Sequence, residues 1–222
     1  MTSYERNIYM QVKVMQNVLK ANDMYAQQTR DLLIGNHVKM YNLIGSPGAG
    51  KTSVLETIIP EIKKGGKKVA VIEGDCATTR DADRIAKLDI PVVQINTGTG
   101  CHLDANMVFK AVQEFDLKKL DIIFIENVGN LVCPSAFDLG ENYKIAIIST
   151  TEGDDKPLKY PRIFKESSLT VLTKTDLIPY TNFNRDQFLK FLNDINSNYV
   201  CVEISNTDKK NINSLLKHIP GL

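Results

Sequence analysis

Seven apolar runs punctuate the chain: Val38–Ile44, Lys68–Ile72, Pro91–Ile95, Asp121–Ile125, Tyr143–Ser149, Leu169–Thr173 and Tyr199–Ile204. They are nearly continuous rather than alternating with polar residues, the pattern of strands buried on both faces. Helical periodicity covers Lys51–Lys64, which Gly65-Gly66 stops, then Thr79–Lys87, Asp104–Phe115, Arg185–Ile195 and Ile212–Ile219. Strands alternating with helices predict an α/β fold with a mostly parallel sheet covered by helices on both faces. Right-handed crossovers then bring the C-terminal ends of the strands to one rim, so motifs that follow strands meet at one site. Ahead of this core, residues 3–34 contain neither proline nor glycine, and Ile8, Val12, Met15 and Leu19 share one helical face. With Thr2 and Glu5 as a capping box, this stretch reads as a long N-terminal helix ending before Gly35. The expected division is a helical extension, 1–35, packed on a nucleotide-binding domain, 36–222.

The first strand leads into Gly45-Ser46-Pro47-Gly48-Ala49-Gly50-Lys51-Thr52, a full match to GxxxxGK[ST] in the required strand, loop and helix setting. Such a loop turns its N–H groups and a helix N-terminus toward phosphate oxygens. Lys51 would reach the β and γ phosphates, Thr52 would hold Mg²⁺, and Gly45, Gly48, Ala49, Gly50 and Ser53 complete the cradle. Other strand ends add chemistry. Asp75 can approach Mg²⁺ or an attacking water, or can simply cap the next helix. Glu126-Asn127-Val128-Gly129 offers a carboxylate toward Mg²⁺ and a glycine whose N–H can approach a γ-phosphate. Thr173-Lys174-Thr175-Asp176 is similar to the guanine-reading [NT]KxD motif. A carboxylate at Asp176 accepts from the N1–H and N2–H donors of guanine and rejects adenine, while Lys174 lays its stem along the base. Ser205 and Asn206 stand where a second edge of the base pocket belongs.

A different chemistry follows the third strand, where Gly98-Thr99-Gly100-Cys101-His102-Leu103-Asp104 sets a thiol beside an imidazole. Cys133 is a third possible member. Thiolate and imidazole suit Ni²⁺, Zn²⁺ or copper, whereas the carboxylates of the nucleotide site suit Mg²⁺. A buried cysteine with a capping histidine explains the local pattern as well, and a metal sphere could be completed by a second copy across a twofold axis. Cys201 reads as core, and Cys76 is open to either role. The charge is +1, from 27 basic and 26 acidic residues, which makes no case for nucleic acid or an anionic membrane. The first residues are polar and no apolar run reaches the length of a membrane span, so a soluble, cytoplasmic protein is expected. No arginine stands out as a finger and no glutamine as a water-positioner, which implies slow hydrolysis.

Taken together, the chain resembles the HypB family, the nickel-inserting GTPases of hydrogenase maturation. The resemblance rests on GSPGAGKT at 45–52, EGDCATTRDADRI at 73–85, NTGTGCHLDANMV at 96–108, IENVGNLVCPSAFDLGE at 125–141, TEGDDKPLKYP at 151–161 and TKTDL at 173–177. It implies a P-loop GTPase domain of the same class as the signal recognition particle GTPases. Its members dimerise with GTP, hold nickel between subunits and pass it, with a HypA-type nickel chaperone, to the precursor of the hydrogenase large subunit. By resemblance Lys51, Thr52, Asp75 and Glu126 serve phosphate, Mg²⁺ and switching, Lys174 and Asp176 the base, and Cys101, His102 and Cys133 a nickel site that Zn²⁺ can share. Two departures matter. The region before the loop has no cysteine and only His37, so the CxxCGC nickel motif and histidine-rich tract of some members are absent. Thr173 replaces the commoner asparagine of NKxD, which predicts weaker nucleotide affinity. A nickel GTPase for another client such as urease, a nucleotide-supported metal carrier and a P-loop small-molecule kinase are the alternatives.

Overall fold

The computed structural model describes residues 20–75, 80–207 and 211–222. Thr2, Glu5, the stripe from Ile8 to Leu19, Cys76 and Thr79 lie outside the described residues. Helix α1 runs through 20–35 of the described residues, one residue beyond the expected stop, and buries Asn22, Ala26, Thr29 and Leu33 at helical spacing. The sheet strands are β1 (Lys39–Ile44), β2 (Val69–Asp75), β3 (Val92–Asn96), β4 (Ile122–Glu126), β5 (Tyr143–Ser149), β6 (Leu169–Thr173) and β7 (Cys201–Glu203). All pairings are parallel, in the order β3-β2-β4-β1-β5-β6-β7.

Two properties of that order set the site. β1 is central, and its neighbours β4 and β5 are on opposite sides, so the chain leaves β1 at a point where the strand order reverses. In addition, alternate residues of each strand point to opposite faces. Tyr41 and Leu43 join one core with α2 (Lys51–Lys64), α3 (Arg80–Ala86) and α9 (Ile212–His218). The other face is covered over one half by α1 and α4 (Ala105–Gln113), against Met40, Ile72 and Ile125. Over the other half α7 (Pro161–Glu166) and α8 (Arg185–Ile195) cover Ile44, Ile148 and Leu172. Helix α5 (Cys133–Ala136) and α6 (Lys156–Lys159) are short elements between strands, with no counterpart in the periodicity.

Helix α1 is fastened by polar bonds as well as by Leu33. Asn22 donates to the Asp138 carbonyl at 2.9 Å and accepts from the Ala105 N–H at 2.9 Å, while Arg30 pairs with Asp138 at 2.9 Å. Among the described residues, no helix is long and apolar enough to cross a membrane.

Candidate functional site

The loop from β1 to α2 lies over the sheet's C-terminal rim. Gly48 and Gly50 have φ of 75° and 97°, the left-handed region that a side chain resists, and so the turn needs glycine at both. The Lys51 ammonium is buried over the loop, 3.3 Å from the Gly45 carbonyl and 3.4 Å from that of Ser46. A cavity of about 530 Å³ opens in front of it. Of the residues expected there, Gly48, Gly50, Lys51, Thr52, Ser53, Asp75, Glu126, Gly129 and Lys174 line it. Gly45 and Ala49 support the loop from behind, and Asp176, Ser205 and Asn206 lie outside the lining. Asp176 sits in the 3₁₀ turn Thr175–Tyr180, Ser205 is buried just past β7, and Asn206 is 3.5 Å from the Thr57 hydroxyl.

Thr173 has a role that its sequence did not suggest. Its buried hydroxyl donates to the Ala49 carbonyl at 2.6 Å and also approaches the Ile148 carbonyl at 3.2 Å. The loop carrying Lys174 is thereby tied directly to the phosphate loop, and Thr150 secures it from the other side by donating to the Lys174 carbonyl at 2.7 Å.

The floor of the cavity is acidic. Thr52 donates to Glu126 at 2.8 Å, and Glu126 is in register with Glu73 on the adjacent strand. Burial raises the pKa of both carboxyls, and for Glu73 the charge of Glu126 adds to the shift. Glu73 was missed by the sequence reading, although its spacing from Asp75 puts both acids on one strand face. Arg84 and Gln94 also line the wall, a guanidinium and an amide that the sequence did not single out. Arg84 is held by Glu56 at 2.6 Å, Asp81 at 3.0 Å and the Ser53 hydroxyl at 3.1 Å.

The second constellation also assembles. The ligand atoms of Cys101, His102 and Cys133 all lie within 4.8 Å of one another. Cys101 Sγ is 3.5 Å from His102 Nδ1, and the imidazole stacks on Phe137 with centroids 4.0 Å apart. Burial lowers the His102 pKa and so favours the neutral, ligating imidazole. The neighbouring Cys101 raises the Cys133 thiol. Asp104 is the N-cap of α4, accepting from the Met107 N–H at 2.8 Å. Cys201, by contrast, packs against the α7–α8 core and its thiol is pushed up to about 12 by burial.

One segment touches both constellations. A Cβ on Gly129 would stand 2.8 Å from Pro47 Cγ and 3.0 Å from the Pro47 backbone, so only glycine permits this approach to the phosphate loop. Asn127 donates to Asn42 Oδ1 at 3.1 Å and accepts from the Val128 N–H at 2.9 Å and the Leu103 N–H at 3.4 Å. Cys133 follows Gly129 by four residues.

Residues 39–203 match the family model described as "CobW/HypB/UreG, nucleotide-binding domain". The hydrogenase maturation factor HypB of Azotobacter vinelandii is 46% identical over 87% of this chain, which spans 64% of that relative's length. The chain belongs to the HypB family. Among solved structures, HypB from Archaeoglobus fulgidus has a TM-score of 0.84 at 32% identity, covering 91% of this chain and 98% of that one. HypB from Helicobacter pylori, solved in complex with nickel, has a TM-score of 0.81 at 36% identity, covering 89% and 94%. The fold is accordingly that of a P-loop GTPase of this family, with the Cys/His cluster added at its rim.

Proposed function

We propose that this HypB-family protein is a GTP-hydrolysing nickel metallochaperone that delivers nickel to the precursor of a hydrogenase large subunit in the cytoplasm. Nickel is the cargo, taken by Cys101, His102 and Cys133, a donor set that Zn²⁺ can also occupy. Residues 36–222 act as the G domain and 1–35 as an extension upon it. The observation that carries the proposal is the continuous Glu126–Cys133 segment, which presses Gly129 against the phosphate loop and ends in a thiol of the Cys/His cluster.

Lys51 and the loop N–H groups hold the β and γ phosphates of GTP, and Asp176 with Lys174 selects guanine. A divalent cation fits the floor: Glu126 has one buried oxygen without a partner, and its other oxygen holds the Thr52 hydroxyl. Thr52, Asp75 and Glu126 would hold Mg²⁺, which when bound neutralises charge on the phosphate oxygens during transfer. The Gly129 N–H meets the γ-phosphate, and its release after hydrolysis lets Pro47 and Gly129 part. Asn127 passes that movement to the Leu103 N–H, beside His102. Nickel affinity then differs between the GTP and GDP states, and by linkage nickel shifts nucleotide affinity by the same factor. The GTP form dimerises, bringing two clusters together, and a HypA-type chaperone supplies or receives the metal. Intrinsic turnover is slow, because Arg84 is held by two acids and a serine rather than free to reach the phosphates.

The test is a nickel titration with a GTP analogue or GDP, following thiolate-to-nickel absorbance and molecular mass together, for the parent and Cys101→Ser. Nickel binding that tracks a GTP-dependent dimer and collapses in the variant is the expected result. Binding indifferent to nucleotide and to Cys101 overturns the proposal.

A further inference from the structure

The floor of the cavity carries more acid than the nucleotide reading uses. Glu73 and Glu126 are 2% and 5% exposed, face the same cavity and occupy paired positions of β2 and β4. Glu73 Oε1 and Glu126 Oε2 are both buried, and apart from each other's carboxyl neither has a hydrogen-bond partner among the described residues. With no outside donor the pair must either share a proton or hold two like charges side by side, and a cation between them relieves both costs. Lys51 lowers the charge cost on both carboxyls but gives its hydrogen bonds to the Gly45 and Ser46 carbonyls, and Asp81 adds a further acid to the wall. At the floor itself, a polyanionic nucleotide faces acid rather than base, since Arg84 on the wall is already engaged by Glu56 and Asp81. Two carboxylates with a hydroxyl beside them make an oxygen set for a small, hard divalent cation.

We propose that Glu73 is a cation ligand, and that Glu73, Glu126 and Thr52 form a seat that takes a divalent cation before nucleotide arrives. This rests on reading the cavity as the nucleotide site, and goes beyond it in adding a ligand and an order of binding. Metal would enter first and convert the acidic floor into an attractive one for the triphosphate. Glu73→Gln keeps the shape of the side chain, removes one titratable group and supplies a permanent amide N–H to the Glu126 oxygen.

The experiment is a Mn²⁺ titration of the nucleotide-free, full chain, reading free Mn²⁺ by electron paramagnetic resonance, for the parent and Glu73→Gln. The Cys/His cluster is common to both proteins, so their difference reports the carboxyl pair. The expected result is Mn²⁺ uptake by the parent that weakens at least tenfold in the variant and is competed by Mg²⁺. Thermal melts separate ligation from a structural role: in EDTA the variant should melt higher than the parent, and Mg²⁺ should raise only the parent. No uptake without nucleotide, equal uptake by both proteins, or a variant that melts lower in EDTA overturns the inference. Binding of a fluorescent GDP analogue is measured alongside; if both proteins bind it while Mn²⁺ ignores Glu73, the inference fails and the nucleotide site stands.

Discussion

Asn127→Ala tests whether the two constellations communicate through a single buried amide. Asn127 is fully buried and its side chain makes three bonds: to Asn42 Oδ1 at 3.1 Å, from Val128 N–H at 2.9 Å and from Leu103 N–H at 3.4 Å. Asn42 is itself buried and donates onward to Glu141 at 3.1 Å, so it has no freedom to turn toward water. Removing the amide therefore leaves the Asn42 oxygen and the Val128 N–H without partners, while the long Leu103 contact adds little. A buried orphan costs about 1–3 kcal/mol, so two near the low end give about 2–4 kcal/mol. A water drawn into the vacated space sets the lower bound. Against a typical domain stability of about 5–15 kcal/mol the fold survives, and the variant can be assayed. Urea unfolding in EDTA, free of nucleotide and metal so that binding does not shift the equilibrium, measures the loss at unchanged m-value. The same variant should bring the ratio of nickel affinities in GTP-analogue and GDP states toward one. A stability loss under about 1 kcal/mol refutes the hydrogen-bond accounting, and an unchanged nickel ratio refutes Asn127 as the link.

Two further outcomes follow from single side chains. Asp176→Asn replaces an acceptor-only group by one that also donates, so preference should move from GTP to xanthosine triphosphate, with GTP affinity falling about 100-fold, or about 2.7 kcal/mol; competition against a fluorescent GDP analogue measures it, and retained GTP preference would place the base elsewhere. Tyr41 is buried, donates to the Pro220 carbonyl at 2.8 Å, and has its pKa raised to about 12 by burial and then by Tyr143. The unfolded chain releases this proton near pH 10 and the folded chain holds it to about 12, so the folded state is favoured below pH 10 and loses stability as pH rises through that window, by up to about 1.4 kcal/mol per unit. Tyr41→Phe should be less stable by about 1 kcal/mol at pH 8 yet lose less between pH 10 and 12 in denaturant melts, and parallel pH curves would contradict the assignment.

The five inner strands were legible because burial on both faces leaves a near-continuous apolar run, and the edge strands β3 and β7, only partly buried, were legible from shorter apolar runs. The long helices were legible from their period, as with the stretch expected over Asp104–Phe115, where α4 runs Ala105–Gln113 and Asp104 is its cap. Helices α5, α6 and α7 were not, because each is four to six residues long and has proline in its first turn, too short for a helical period to show. The phosphate loop was readable because its chemistry is contiguous. Glu73 was not, because an acid after Val69–Ile72 reads as the polar end of a strand; its spacing from Asp75 hints at a shared face, but only the register with Glu126 shows the buried pair. The Cys/His cluster lies between these cases. Cys101 follows β3 and Cys133 begins α5 after β4, two strands that are not neighbours, since β2 lies between them. No local spacing could join those thiols; the sheet order does, by sending both loops over the same rim. That rim is where Gly129 meets Pro47, so one segment borders both sites, the placement that the proposed coupling between phosphate and thiol requires. Lengthening the segment between Gly129 and Cys133 keeps every ligand residue in the chain and should bring the nickel affinities of the GTP-analogue and GDP states together; an unchanged ratio in the same titration would refute the connection.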